Sequence, residues 1–278
     1  MLNKPLRRAV QNNRPTCLKP PVHPTKKLFR FRSVLNSSLG NFCPLGTALL
    51  LAWLLVSSAR SGDATAINVL TDEEKRTGWK LLFDGVTTNG WRGLGMEGFP
   101  SVWVIENGCL RCLGGYKGAN DLVTVDKYEN FEFSFEWMFP KRSGNSGVKY
   151  RVQEKKGQGY AFGPEYQCMN DPEATDKHAS GSLYDLFPPV GKKLKPQGEF
   201  NQSRIVLRGN HVEHWLNGVK VVEAEFGSEA MNAALARSHF KNSDWGKNPV
   251  GHLILQDHHS EVFFRNLKIR VLRAAGTK

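Results

Sequence analysis

The sequence predicts an all-β protein, two antiparallel sheets packed face to face, and three observations carry that prediction. Short runs of β-branched and aromatic residues alternate with turn signals about every eight to twelve residues, the rhythm of a sandwich. The segment Phe131 to Phe139 puts Phe131, Phe133, Phe135 and Trp137 on one side of a strand and Glu132, Ser134 and Glu136 on the other. So many large rings on one face require a second sheet to cover them. Helical character is confined to two short stretches, too little to form a layer of its own.

Residues 1–59 carry nine Lys or Arg and no Asp or Glu, and they are rich in proline without an amphipathic period. Such a segment buries too little to fold and is read as a basic leader. The formal charge of +12 comes mostly from it, because beyond residue 59 there are 29 basic against 26 acidic residues. Those later charges are interleaved and form no stripe, which argues against nucleic acid as a partner. Leu45 to Val56 is apolar, too short to span a bilayer, and followed by Ser57, Ser58 and Ala59. It fits the core of a secretory signal cut after Ala59. Either the true start lies downstream, near Lys26, or the long leader is real. Both readings place the mature protein outside the inner membrane, periplasmic or secreted, with no stable span after cleavage; an uncleaved anchor is the alternative.

Loss of the leader removes Cys17 and Cys43 and leaves Cys109, Cys112 and Cys168, an odd number that excludes a fully paired disulfide framework. Cys109 and Cys112 lie three apart in a strand-like run and therefore face opposite ways. Only Cys168 is on offer as a further soft ligand, so the pair reads as small buried residues ahead of a disulfide or a metal site.

Residues 60–77 form a polar lead with a short helix at Thr71 to Thr77, opened by Thr71 with Glu74 three residues on. Trp79 to Phe83 is a strand stopped by Asp84-Gly85, and Thr88 to Gly98 is a loop holding Trp91. Trp103 to Ile105 and Cys109 to Leu113 make a hairpin around Glu106-Asn107-Gly108, and Asp121 to Thr124 is a further strand. After the aromatic strand, Gly144 to Asp171 forms two strands with polar residues where an ordinary strand is apolar. A two-residue period sends Lys149 and Arg151 to one face and Val148, Tyr150 and Val152 to the other, while Glu165 and Gln167 alternate with Tyr166 and Cys168. This polar face either lines a cavity or meets bulk water.

Pro172 to Glu199 is a long connection containing His178, Tyr184 and Asp185, and its aromatic and histidine content favours a functional loop. Gln202 to Arg208 and Val212 to Leu216 form a hairpin around Gly209-Asn210. Asn217-Gly218 turns the chain into Val219 to Val222. Glu229 to Ala236 is helical, and Gly251 to Gln256 and Glu261 to Val271 are strands, the last with Leu267, Ile269 and Val271 inward. No repeat and no second domain interrupt residues 78–273.

There is no P-loop, dinucleotide fingerprint, H-E-x-x-H or G-x-S-x-G. Polar groups among many Trp and Tyr suit sugars, whose apolar ring faces lie on aromatics while hydroxyls take hydrogen bonds, although many pockets share that recipe. Seven motifs carry the reading further: Trp79 to Gly90 (WKLLFDGVTTNG), Gly144 to Arg151 (GNSGVKYR), Gly163 to Gln167 (GPEYQ), Leu183 to Pro189 (LYDLFPP), Glu213 to Gly218 (EHWLNG), Gln256 to His258 (QDH) and Phe264 to Arg270 (FRNLKIR). In this order they resemble the bacterial family described as 3-keto-glucoside 1,2-lyase / 3-keto-2-hydroxy-glucal hydratase, also called 3-keto-disaccharide hydrolase. The resemblance spans about Gly78 to Leu272 and implies a concanavalin A-like jelly roll related to glucanases.

It also implies two-step chemistry on a glycoside oxidised at C3: loss of the C2 proton, elimination at C1 to a 2-hydroxy-glucal, then addition of water. Such a site needs a base near C2, a positive or hydrogen-bonding group on the enolate oxygen and an acid near the glycosidic oxygen. A divalent metal ion would serve the enolate, and no nucleotide cofactor is implied. Glu165 is the first candidate for base or metal ligand, Arg151 for stabilising anionic oxygens or anchoring Glu165, and His258 for proton transfer. Glu136 is a candidate second acid, and Asp257 either orients a histidine or caps a turn. Asn145 and Gln167 would bind hydroxyls, with Asn145 and His258 joining Glu165 on a metal; Trp215, His178, Tyr184 and His214 are further substrate-binding candidates. The alternatives are a non-catalytic carbohydrate-binding jelly roll and a conventional glycoside hydrolase, the latter disfavoured because the E-x-D-x-x-E strand of glucanases is missing.

Overall fold

The structure, a computed structural model, describes residues 66–115, 120–155 and 160–273. The leader, the apolar run and the expected cleavage site lie outside the described residues. No helix among the described residues is long and apolar enough to cross a membrane.

The chain opens with helix α1 (Asp72–Arg76), then strands β1 (Trp79–Leu81), β2 (Trp91–Gly93), β3 (Trp103–Glu106), β4 (Cys109–Cys112), β5 (Leu122–Thr124) and β6 (Phe131–Met138). It continues through β7 (Asn145–Val152), β8 (Glu165–Met169), β9 (Asn201–Arg208), β10 (His211–Leu216) and β11 (Val219–Glu225) to helix α2 (Glu229–Ala236), β12 (His252–Leu255) and β13 (Val262–Val271). The larger sheet runs β11-β10-β9-β6-β13-β4-β3, with β1 also on β13, and the smaller runs β2-β5-β12-β7-β8. All pairings are antiparallel. This is the jelly-roll sandwich that the strand pattern predicts.

The core lies between the sheets. Phe131, Phe133, Phe135 and Trp137 of β6 meet Val148 and Tyr150 of β7, Tyr166 and Cys168 of β8, and Leu253 and Leu255 of β12. Rings cross the interface edge to face, Phe135 on Tyr166 at 5.4 Å and Phe131 on Tyr150 at 6.3 Å, and each fully buried ring stabilises by roughly 2–3 kcal/mol. Cys109, Cys112 and Cys168 are buried free thiols. Burial pushes Cys112 up to about 12 and Cys168 well above its ordinary value.

Asn68 and α1 meet β13 of the larger sheet. Thr71 and Glu74 form the predicted capping box, with Thr71 Oγ1 accepting from Glu74 N–H at 3.1 Å and Glu74 accepting from Thr71 N–H at 2.7 Å. Glu74 also meets Lys268 of β13 at 2.8 Å.

Three sequence expectations need correction. Trp91 is not in a loop: its indole N–H reaches the Leu82 carbonyl at 2.6 Å, and β2 pairs with β5. Val271 is 66% exposed, so the inward run of β13 ends at Ile269. Asn266, at φ 51°, bulges β13 and shifts its register against β6.

The third concerns β7. Arg151 has φ 53° and lies at an irregularity between β7 and β12. A bulge inserts one extra residue and reverses the sense of the pleat. Without Arg151 the alternation is unbroken: Ser146, Val148 and Tyr150 face the core, Asn145, Gly147 and Lys149 face outward, and Val152 follows them outward. There it joins Leu94, Val123, Ala161 and Ile254 in a small second cluster. The outer face of the smaller sheet is therefore apolar at one end and polar at the other.

Candidate active site

The polar end is concave. A hollow of about 190 Å³ lies over β7 and β8, with Asn145 and Lys149 from the first and Glu165 and Gln167 from the second. Gln256 and His258 enter just after β12, Tyr184 from the long connection, and His239 and Phe240 from the segment after α2; Ala161, Phe162 and Gly163 close one side. Register explains the convergence, because Lys149 stands opposite Glu165 and Gly147 opposite Gln167. Gly147 is required there by close approach: a Cβ on it would sit 2.3 Å from Glu165 Oε1. The carboxylate thus lies across bare backbone.

Glu165 is only 6% exposed. Desolvation raises its carboxyl to about 7, the Lys149 ammonium opposing that rise and Asp121 adding to it. No other described residue donates a hydrogen bond to it. Lys149 Nζ is 3.8 Å from Asp121 and 3.5 Å from the Ala161 carbonyl. Asp121 sits behind the wall, accepts Asp257 N–H at 2.8 Å, and is raised by burial against the pull of Lys149. Gln167 and Gln256 each hold a buried amide oxygen with no partner. Both oxygens can accept from a hydroxyl-bearing ligand.

On the rim, His239 Nδ1 lies 2.6 Å from Asp185, which also accepts the His239 backbone N–H at 2.9 Å. Asp185 is buried, adopts φ 64°, and pairs with Lys177 and with His178 Nε2. Desolvation pushes its carboxyl up, but the hydrogen bonds from Lys177 and His239 prevail and hold it well below the usual carboxylate range. An ionised Asp185 takes the Nδ1–H and leaves Nε2 of His239 for a ligand.

The structure brings together Glu165, Gln167, Asn145, Tyr184 and His258 of the residues singled out in the sequence. It does not bring in the other six, Arg151, Glu136, Trp215, His214, His178 and Asp257. Arg151 is turned away by the bulge: its guanidinium lies 4.1 Å from the Phe226 ring centre and donates to the Gly209 carbonyl. Glu136 is on the outer face of the larger sheet, paired with Arg265 at 2.7 Å. Trp215 is on that same sheet, under the Arg204 guanidinium at 4.3 Å and bonded to Glu213.

His214 is in the core. Its Nδ1 can only donate to the carbonyls of Gly181 and Ser182, so Nε2 accepts from Tyr150 O–H at 3.0 Å. Burial depresses its pKa to about 4. His178 buttresses Asp185 and touches the Tyr184 ring edge at 5.2 Å without lining the hollow. Asp257 caps its turn, accepting His259 N–H at 2.9 Å.

Sequence reasoning missed Lys149, Gln256 and His239. Lys149 was legible from its parity with Asn145, and Gln256 from its place in QDH. His239 has no local signal, since only the fold brings it to Asp185.

The residues of the expected metal set, Glu165, Asn145 and His258, all line the hollow. Among the described residues, the grouping of three His or acidic side chains close enough to share an ion is His211, Glu213 and Glu223. That group lies on the larger sheet, with both carboxylates already paired to Lys220. Beside Glu165 the positive charge is Lys149, and no chemical step is routed through an ion.

A family profile described as "3-keto-alpha-glucoside-1,2-lyase-like domain" matches residues 78–270. The chain is 34% identical over 251 residues to a 3-keto-disaccharide hydrolase of Bacteroides thetaiotaomicron, covering 78% of this chain and 86% of that one. It is similar in structure to a Parabacteroides distasonis protein described as a candidate glycosyl hydrolase, with TM-score 0.68, 33% identity, and coverage of 75% of this chain and 100% of that chain. A second such protein from that organism gives TM-score 0.53 at 27% identity, covering 70% and 99%.

Proposed function

This chain belongs to the 3-keto-alpha-glucoside-1,2-lyase-like domain family and is an enzyme acting on carbohydrate, and we propose that it hydrolyses 3-keto-glycosides by elimination followed by hydration. The observation that carries this reading is the floor of the hollow, where a single buried carboxylate lies opposite an ammonium. Among the described lining residues Glu165 is the one carboxylate. Direct hydrolysis of an ordinary glycoside uses a carboxylate pair, whereas proton removal beside a ketone needs one base and one cation.

In this scheme Glu165 takes the C2 proton, and the C–H electron pair passes into an enediolate whose C3 oxygen is stabilised by Lys149. The electrons return, the C3 carbonyl re-forms, a C1–C2 double bond appears and the C1–O bond breaks. The departing oxygen receives a proton from the Nε2–H of His239 in its imidazolium form, whose Nδ1–H is held by Asp185. Water then adds at C1, its proton passing to Nε2 of His239, while Glu165 gives its proton back to C2, for net hydrolysis. Asn145, Gln167 and Gln256 offer amides to ring hydroxyls, with Tyr184 and His258 at the mouth. A binding module would have no use for a buried carboxyl titrating near neutrality.

The test is Glu165→Gln assayed on a 3-keto-glucoside, following substrate loss, glucal formation and exchange of the C2 hydrogen with deuterated water. Turnover and exchange should both fall by about 10²–10⁴-fold. A folded variant with wild-type turnover and exchange would overturn the reading.

A further inference from the structure

The catalytic hollow, at about 190 Å³, is smaller than typical ligand pockets of about 300–1,000 Å³, so part of a glycoside must lie outside it. A second hollow of about 530 Å³ adjoins it, and the two share Ala161 and Phe162. Tyr160 and Phe162 stand in its wall, 55% and 49% exposed and edge to face at 5.6 Å. Phe162 is braced against Phe240 at 5.9 Å, and Phe240 against Trp245 at 5.9 Å. Rings held in this way lose little freedom when a flat ligand settles on them.

The charge of this hollow is one-sided. Arg151, Lys155 and Lys247 line it with Asp244 as the one carboxylate among the described lining residues, a formal excess of two positive charges. Lys155 and Lys247 share that carboxylate, at 3.3 and 3.2 Å, so it neutralises only one of them. Arg151, turned away from Glu165 by the bulge, donates to the Gly209 carbonyl and leaves Nε without a partner among the described residues, while Glu129 and Glu225 act on it only through space. It is buried, and a buried cation without a paired counter-charge is costly. A cleft with an excess of one charge concentrates ligands of the other.

His239 lines the first hollow, while Asn242 and Ser243, a few residues on, line the second. The group that protonates the departing oxygen therefore stands beside the segment that walls the second hollow. Resting on the function proposed above, we propose that the second hollow is the leaving-group subsite and selects an anionic aglycone, an aromatic carboxylate whose ring lies on Tyr160 and whose charge is met by Lys155, Lys247 and Arg151. A flat ring meets Tyr160 and Phe162 as aromatic rings meet one another, by face and by edge. The C1–O bond breaks as described and His239 protonates the phenolic oxygen; the carboxylate takes no part in the chemistry.

The test compares two substrates of the same anomeric configuration, the 3-keto-glucosides of para-hydroxybenzoate and of its uncharged amide, para-hydroxybenzamide. The ratio of their kcat/KM values, acid over amide, is read in wild type and variants, so that the different leaving abilities of the two phenols cancel. Lys155→Gln combined with Lys247→Gln should lower the ratio roughly fivefold, and Asp244→Asn should raise it roughly threefold. All three side chains are exposed, so the variants should fold. A ratio that does not move in these opposite directions overturns the subsite. Calorimetry on Glu165→Gln reads binding without chemistry: the acid should bind more tightly than the amide, with the difference shrinking between about 0.01 and 1 M salt. Equal binding, or tighter binding of the amide, overturns the subsite as well. If the wild-type enzyme turns over neither glycoside, the proposed reaction falls while calorimetry still decides the anion site.

Discussion

Glu165 and Tyr166 are neighbours on β8 that face opposite ways, and the two sides of that strand treat buried polar atoms differently. On the core side the tyrosine hydroxyls find partners. Tyr166 O–H donates to the Trp215 carbonyl at 3.2 Å and accepts from Ser203 Oγ at 2.8 Å, which itself accepts from Trp137 Nε1–H at 2.9 Å. Tyr150 and His214 complete one another in the same layer. On the pocket side no described residue donates to Glu165, the Gln167 and Gln256 oxygens have no partner among the described residues, and Lys149 holds only distant contacts. An unmade buried hydrogen bond costs about 1–3 kcal/mol. A fold that satisfies one face of a strand and leaves the other wanting is reserving the second for a ligand.

Breaking the core side should have the largest effect. His214→Ala removes a packed ring and strands the Tyr150 hydroxyl, for a loss of about 3–4 kcal/mol in denaturant unfolding. The kcat of the folded protein should stay within about threefold; a catalytic loss without a stability loss would erase the distinction between the faces.

Next comes pH, because the two faces respond with opposite sign. The folded pKa of His214 is about 4, below its ordinary 6.5, so its contribution is present above pH 6.5 and lost as pH falls towards 4. Glu165 is raised from 4.5 to about 7, so its contribution is present below pH 4.5 and lost as pH rises through 7. Each window amounts to at most about 3 kcal/mol. Glu165→Gln should therefore unfold at a higher denaturant midpoint than wild type at pH 8, with the gap closing at pH 4.5, whereas wild-type kcat/KM should climb through pH 7 as the base ionises.

A smaller effect sharpens the pocket side alone. Gly147→Ala places a methyl against Glu165 Oε1 and should lower kcat on the order of tenfold with little change in unfolding. The smallest is a null. Exhaustive treatment with a chelator should leave activity within about twofold, and loss of activity restored by a divalent ion would take the enolate away from Lys149.

Much of the fold was legible because period-two patterning is local. The β6 aromatics, the Asn217-Gly218 turn and the Thr71 cap each announce themselves within a few residues. Glu165, Gln167 and Asn145 were legible for the same reason, since pleat parity sets them on one side. Arg151 was misread because a single inserted residue reverses that parity, and nothing in GNSGVKYR marks Arg151 as the extra one. Glu136 shows the limit of alternation, which identifies an outward face without saying which sheet owns it. His214 and Trp215 could be separated only by the carbonyls of Gly181 and Ser182, which lie more than thirty residues away in the chain. His239 belongs to the site through Asp185, again a partner distant in sequence.

The sealed thiol of Cys168 gives β8 a built-in clock. A thiol cannot react while it is buried and protonated, so an alkylating reagent will mark Cys168 only when the strand carrying Glu165 breathes open. The marking rate measures that breathing directly, and a sugar seated on the opposite face should slow it.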